Sequence, residues 1–256
     1  MIRPALLVLI LVPAIAEAQE DRPPLRTRVV LGPQLVPSYP GSDRYDVGPL
    51  VDVSRARGDE EFAFEAPDES FGFPLLHSGG FQFGPSFGFQ GSRTASDVGA
   101  AVPKVGFTVE AGAFVQYQLM PAFRLRAELR KGLGGHRGLI GVVGADYVAR
   151  DRDRWLFSLG PRVTLADKRY HRAYFGVTPA VATASGLPAF TADGGVQAIG
   201  VTAGAIRQLT PRWGLYGYAK YDRLVADAAR SPLVRRFGSR DQLSGGIALS
   251  YTFGRR

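Results

Sequence analysis

Cysteine is absent from this chain, which excludes a disulfide framework and any thiolate metal site. Histidine is scarce: His77, His136 and His171 stand in three different segments, none with a second histidine at ligand spacing, so neither a metal nor another cofactor is expected. No G-x-S-x-G elbow occurs. A Ser-His-Asp arrangement is recognised by geometry and stays open on sequence alone, but no motif supports one and the chain is read as non-enzymatic. Glycines are scattered singly along the chain, which suits close strand approach and bulges, not a phosphate cradle.

Long apolar runs are also missing. The longest, "ALLVLILVPAIA", falls short of the roughly 20 residues of a membrane helix and is interrupted by Pro13. With Arg3 before it and Ala16-Glu17-Ala18 after it, residues 1–18 read as a secretory signal peptide cleaved after Ala18. No Pro/Ser-rich or charge-blocked linker divides the remainder, so residues 19–256 are read as one domain. The net charge of +8 would suit nucleic acid in a cytoplasmic protein. An exported one meets lipopolysaccharide phosphates and anionic envelope partners instead, and nucleic acid is not expected as a partner.

What the chain has in quantity is alternation with period two. Phe81, Phe83, Pro85, Phe87 and Phe89 alternate with Gln82, Gly84, Ser86, Gly88 and Gln90. In "FRLRAELR", Phe123, Leu125, Ala127 and Leu129 share one face, while Arg124, Arg126, Glu128 and Arg130 share the other. Such segments predict about twelve strands, near 25–36, 46–56, 60–73, 79–91, 104–119, 121–131, 136–150, 153–166, 170–181, 193–209, 212–223 and 239–253. Alternation is least clean at 60–76, where it holds only around Phe62 and Phe64, and at 193–209, which is apolar on both faces.

Two all-β architectures fit. A secreted sandwich would turn its apolar face to a shared core, whereas a transmembrane antiparallel β-barrel turns it to lipid. Strand lengths near ten residues, aromatics near strand ends (Tyr117, Tyr147, Trp155, Trp213, Tyr221 and Phe253) and the signal peptide favour the barrel.

The blocks "PSYPGSDRYDVGPLVDVSR", "GGHRGLIGVVGADYV", "SLGPRVTLADKRYHRAYFGVT", "SGLPAF", "RWGLYGYAKYDRLVADAARSPLVRRFGSRDQ" and "GIALSYTF", in this order, resemble the MipA/OmpV family. The resemblance covers almost all of residues 19–256. It implies a β-barrel in the bacterial outer membrane. It further implies a scaffold whose partners are a periplasmic murein transglycosylase and a murein synthase, that is, a peptidoglycan-related role in the cell envelope. Other members are treated as porin-like, adhesin or stress-related proteins. The chain departs from the family at His171, where a Met is expected, at Ala226, where a Gly often precedes "DA", and in the "GRR" that follows Phe253.

In a barrel the polar face lines the lumen. The charged residues placed there are Arg26, Arg28, Asp52, Glu65, Lys104, Glu110, Arg124, Arg126, Glu128, Arg130, Arg162, Arg172, Lys220 and Asp222, with cations in excess. A buried arginine needs water or a carboxylate, so the lumen is either hydrated or a salt-bridged plug. The first makes a narrow porin-like channel for small anionic solutes, the second a poor conductor.

Twelve crossings put both ends of the domain on the periplasmic side. Outside loops then fall near 37–45, 74–78, 119–122, 150–153, 182–192 and 224–238, and periplasmic turns near 57–59, 92–103, 131–136, 166–170 and 209–212. The turn 92–103 and the segment "QEDRPP" become the scaffold's contact candidates, and His136 a residue of a tight periplasmic turn. "YDRLVADAARSPLVRR" looks chemically rich, but it reads as an extracellular lid. Asp227 is its cap and Ser231 a turn residue, and Asp222, Arg223, Arg235 and Arg236 form a rim charge network.

Overall fold

The computed structural model describes residues 23–254; the expected signal peptide and its cleavage point lie outside them. Ten long antiparallel strands follow the period-two segments. They are β1 (Leu25–Pro37), β2 (Tyr45–Arg57), β5 (Phe81–Gln90), β6 (Thr108–Met120), β7 (Phe123–Gly134), β8 (Leu139–Asp151), β9 (Trp155–Ala166), β10 (Gly195–Gln208), β11 (Trp213–Leu224) and β12 (Asp241–Phe253). Two short strands, β3 (Phe71–Gly72) and β4 (Leu76–Ser78), both pair with β5 and complete a twelve-stranded sheet.

The sheet curls so that the first long strand meets the last, with Thr27 opposite Phe253. From β5 to β12 each strand pairs with the next in sequence, both across the tight connections 121–122, 135–138, 152–154 and 209–212 and across the long ones, 91–107, 167–194 and 225–240. No ladder joins β2 to β5 or β3 among the described residues. The segment predicted as a strand between them, 60–73, folds inward instead, and only 71–78 returns along β5.

Burial is inverted relative to a soluble protein. Leu129 is 56% exposed, Val143 49% and Ile247 68%, while Arg124 is 1% and Glu110 4% exposed. An apolar outer wall around a charged interior excludes the sandwich and fits strands solvated by lipid. Aromatic clusters mark both ends of the wall. Trp213, Tyr251 and Phe253 meet edge to face at one end, and Phe89 and Phe107 stack at the other, where aromatic girdles mark the membrane interfaces. Among the described residues no helix is long and apolar enough to cross a membrane.

The two ends differ. At the end where β1 starts and β12 finishes, connections are tight: 121–122, 152–154, 209–212 and the Gly79-Gly80 hairpin. At the opposite end lie 38–44, 91–107, 135–138, 167–194 and 225–240. These two ends are termed the turn end and the loop end. Because 60–73 is not a crossing, the expected sides invert as far as the next exception. Segments 74–78, 119–122 and 150–153 therefore sit at the turn end, and 92–103, 131–136 and 166–170 at the loop end.

That second exception is 170–181, predicted as a strand. It forms α2 (Lys168–Phe175) and α3 (Pro179–Ser185). Tyr170, His171, Tyr174 and Phe175 are the buried residues of α2, a spacing of one helical turn, not two residues. Asp167 caps α2 by accepting from the Tyr170 amide at 2.9 Å. With α1 (Ala95–Val98), α4 (Ala226–Arg230) and α5 (Pro232–Phe237), these helices build a folded cap over the loop end. Its apolar core holds Tyr39, Val98, Tyr170, Phe175, Leu224 and Leu233.

Candidate functional site

The segment from 58 to 70 leaves β2 at the turn end and threads the lumen. Its entry is fixed by Asp153, which accepts from the Phe62 amide at 3.1 Å and from Arg26 at 2.9 Å. The Phe62 ring lies 4.4 Å below the Arg28 guanidinium and the Phe64 ring 4.4 Å below that of Arg124, cation–π contacts between largely buried groups. Further in, Asp68 accepts from Arg162, from the Thr202 hydroxyl at 2.9 Å and from Lys220 at 3.3 Å. Glu69 pairs with Arg124 and lies 3.6 Å from Arg126, and the Ser70 hydroxyl donates to Glu128 at 2.6 Å.

Wall residues complete the network. Asp146 bridges Arg124 at 2.7 Å and Arg162 at 2.6 Å. Glu128 takes Arg126 at 3.0 Å and also Arg130, which in turn reaches Glu110 at 2.8 Å. Glu110 also contacts His136 Nε2 at 3.0 Å. Lys220 pairs with Asp222 at 3.1 Å. Glycines make room for this charge. A Cβ at Gly160 would meet the Arg162 guanidinium at 2.8 Å, and one at Gly204 would meet Pro67 of the inserted segment at 2.7 Å.

Of the two lumens left open by the sequence, the structure holds the salt-bridged one. Arg26, Arg28, Glu110, Arg124, Arg126, Glu128, Arg130, Arg162, Lys220 and Asp222 lie on the inner face. Arg172 does not: it belongs to α2, half exposed, with Asp193 at 3.6 Å. Lys104 precedes β6 in the cap and is also outside the lumen. Glu65 enters on the inserted segment, not on a wall strand.

Asp227, Ser231, Arg235 and Arg236 all sit at the loop end. Val225, not Asp227, is the N-cap of α4. Asp227 instead accepts from the Asp193 amide at 2.7 Å, tying two loops together. Ser231 is fully buried, and its hydroxyl donates to the Phe175 carbonyl at 2.7 Å. The expected rim network is split in two. Asp222 pairs inward with Lys220, whereas Arg223 pairs with Asp241 at 2.8 Å. His136 does occupy a tight turn, but at the loop end with its ring buried on Glu110.

The sequence reading found Glu110, Glu128 and Asp222 but missed four carboxylates of the site: Asp68, Glu69, Asp146 and Asp153. A signal existed for the first two. "DEEFAFEAPDES" (59–70) carries six carboxylates in twelve residues, which is unsuited to a lipid-facing strand but complementary to a lumen with excess arginine.

In the cap, Arg93 is buried across from Tyr174. Its guanidinium donates to the Tyr174 and Pro103 carbonyls at 3.1 and 3.0 Å. Burial lowers its pKa, with the Tyr174 and Tyr39 phenols and Asp97 opposing that shift.

A family model described as "MltA-interacting protein MipA" matches residues 29–253. No curated protein matches the sequence. Solved structures with a similar course include an outer-membrane channel of Pseudomonas putida F1. It shares 10% identity, 95% of this chain is covered and 100% of that one, and the TM-score is 0.34. OmpT of Vibrio cholerae shares 8%, covers 90% and 96%, and scores 0.35. A FadL homologue of Pseudomonas aeruginosa shares 9%, covers 91% and 90%, and scores 0.34.

Proposed function

This chain belongs to the MltA-interacting protein MipA family, and from that premise we propose that the outer-membrane barrel is a non-enzymatic scaffold for murein-hydrolysing and murein-synthesising enzymes. The observation that carries this reading is the plug in the lumen. Segment 58–70 occupies it and engages the wall cations through Asp68 and Glu69, so the surfaces at the two ends are left for function.

Short turns face the periplasm and longer loops the exterior in barrels of this kind, which puts the turn end toward murein. Arg152, Arg154 and Arg212 are exposed there on adjoining turns and Arg207 at the end of β10 beside them, with Arg154 paired to Asp151 at 3.4 Å and the Gln208 N–H donating to the Arg154 carbonyl at 2.8 Å. A basic rim of this kind suits an acidic partner face. Segment 92–103, at the loop end, is no longer a contact candidate.

The test is co-purification of a lytic murein transglycosylase from envelope extracts. Arg154→Glu with Arg212→Glu is expected to abolish it, while deletion of 92–103 leaves it unchanged. Capture unaffected by the charge reversal would sink the scaffold reading.

A narrow anion channel is the competing reading. A cavity of about 540 Å³ beside the inserted segment supports it, but Asp52, Glu65 and Glu69 line that cavity against a single Arg28. Carboxylates in excess oppose an anion's passage.

A further inference from the structure

A second cavity, of about 600 Å³, opens in the cap between the 91–107 loop, the 135–138 turn and α2–α3. Five cations line it, Arg93, Lys104, Arg137, Arg169 and Arg172, and no carboxylate does. Among the described residues, Lys104, Arg137 and Arg169 have no ion-pair partner, and Arg172 has only the exposed Asp193 at 3.6 Å. Arg93 is 2% exposed, and its Nε has no acceptor. This buried guanidinium meets two carbonyls and the Tyr174 ring, with Asp97 acting on it without an ion pair, so most of its charge is left for a bound anion to neutralise. Arg137 holds φ at 51°, a conformation that costs a non-glycine residue free energy and recurs at ligand sites.

We propose that this cavity binds a phosphate monoester carried on a sugar. Guanidinium forks pair bidentately with phosphate oxygens, and a charge near −2 matches several converging cations better than one carboxylate would. The volume lies within the range of small-ligand sites and exceeds a bare phosphate ion. The carrier is either lipopolysaccharide, whose phosphorylated sugars flank the loop end of a barrel oriented as above, or a free sugar phosphate. The site does not depend on the murein reading.

The test uses the full chain in detergent micelles, with intact lipopolysaccharide, dephosphorylated lipopolysaccharide and glucose 6-phosphate as probes. Arg137→Gln/Arg169→Gln/Arg172→Gln is compared with Arg235→Gln/Arg236→Gln/Arg240→Gln, which removes equal charge from the same end outside the cavity. All six side chains lie outside the cap core, and folding is checked by heat-modifiable migration. Intact lipopolysaccharide or glucose 6-phosphate is expected to bind the parent protein. The cavity variant is expected to bind it at least about tenfold more weakly, the loss of one charge-assisted contact, and the control is expected to bind it unchanged. Binding of the lipid alone assigns the lipid-borne phosphate, and binding of glucose 6-phosphate alone assigns a soluble one. The proposal is overturned if neither probe binds, if dephosphorylated lipopolysaccharide binds as tightly as intact, or if the control variant loses as much affinity as the cavity variant.

Discussion

Asp68 and Arg162, 94 residues apart, meet in a two-point contact across the lumen, with Nε–Oδ2 and Nη2–Oδ1 both 3.1 Å. Both side chains are nearly inaccessible, and Lys220 and Thr202 converge on the same carboxylate. Removing one partner of a buried pair leaves the other charge unmatched, at a cost of about 3 kcal/mol. Asp68→Asn is therefore expected to lower the unfolding free energy by that order and to release segment 58–70. In planar bilayers the parent protein is expected to be silent and the variant to give single-channel events. An Asp68→Asn protein as silent and as stable as the parent would show that the contact does not hold the plug.

The outer wall makes a separate prediction. Leu159 lies near the middle of β9 and is 44% exposed, which in a soluble protein would make an arginine there nearly neutral. In hydrocarbon an arginine at mid-depth costs about 2–4 kcal/mol. Leu159→Arg is expected to lose this much in denaturant titrations of the lipid-reconstituted barrel. A change under about 0.5 kcal/mol, typical of water-exposed surfaces, would contradict a lipid-facing wall.

Nine of the ten long strands were legible because lipid outside and polar groups inside write a two-residue alternation, seen best in Phe123–Arg130; β10, apolar on both faces, shows it least. The two failures have one cause. Period two was extended into stretches whose burial is set by other partners. In 170–181, Tyr170, His171, Tyr174 and Phe175 face a cap core; in 60–73, Phe62 and Phe64 face arginines, not lipid. The cations of the site could be read because each lies on a clean strand. Asp68 and Glu69 stand in a carboxylate run that marks 59–70 as unsuited to a lipid-facing strand, but which cations they meet was not legible, because those contacts lie 55 to 152 residues away.

Ala226 occupies a left-handed conformation, φ 45°, at the start of α4. The family resemblance expects glycine at this position, and the backbone supplies the reason: a Cβ there costs about 1–2 kcal/mol that glycine avoids. Glycine's greater freedom in the unfolded chain returns about 0.4–1 kcal/mol of that. Ala226→Gly is expected to raise cap stability by up to about 1 kcal/mol, visible as slower proteolysis within 225–240. Faster cleavage would mean the strain is relieved elsewhere.

Asp227 links two loops of the cap, and its titration can be followed separately from the lumen. The Asp193 amide first, and the Arg230 guanidinium after it, hold its carboxyl below the usual range. A depressed folded pKa means that the carboxylate's contribution is fully present above the unfolded value of about 3.9 and is lost as pH falls through the folded value. Below about pH 4 the Asp193 amide should therefore lose protection against hydrogen exchange, after correction for the intrinsic rate. Asp227→Asn removes the charge but keeps an acceptor, so its Asp193 protection should be weaker at pH 6 and should not fall further on acidification. If both proteins lost protection in parallel, the drop would belong to cap unfolding as a whole, and the Asp227–Asp193 tie would carry no pH dependence of its own.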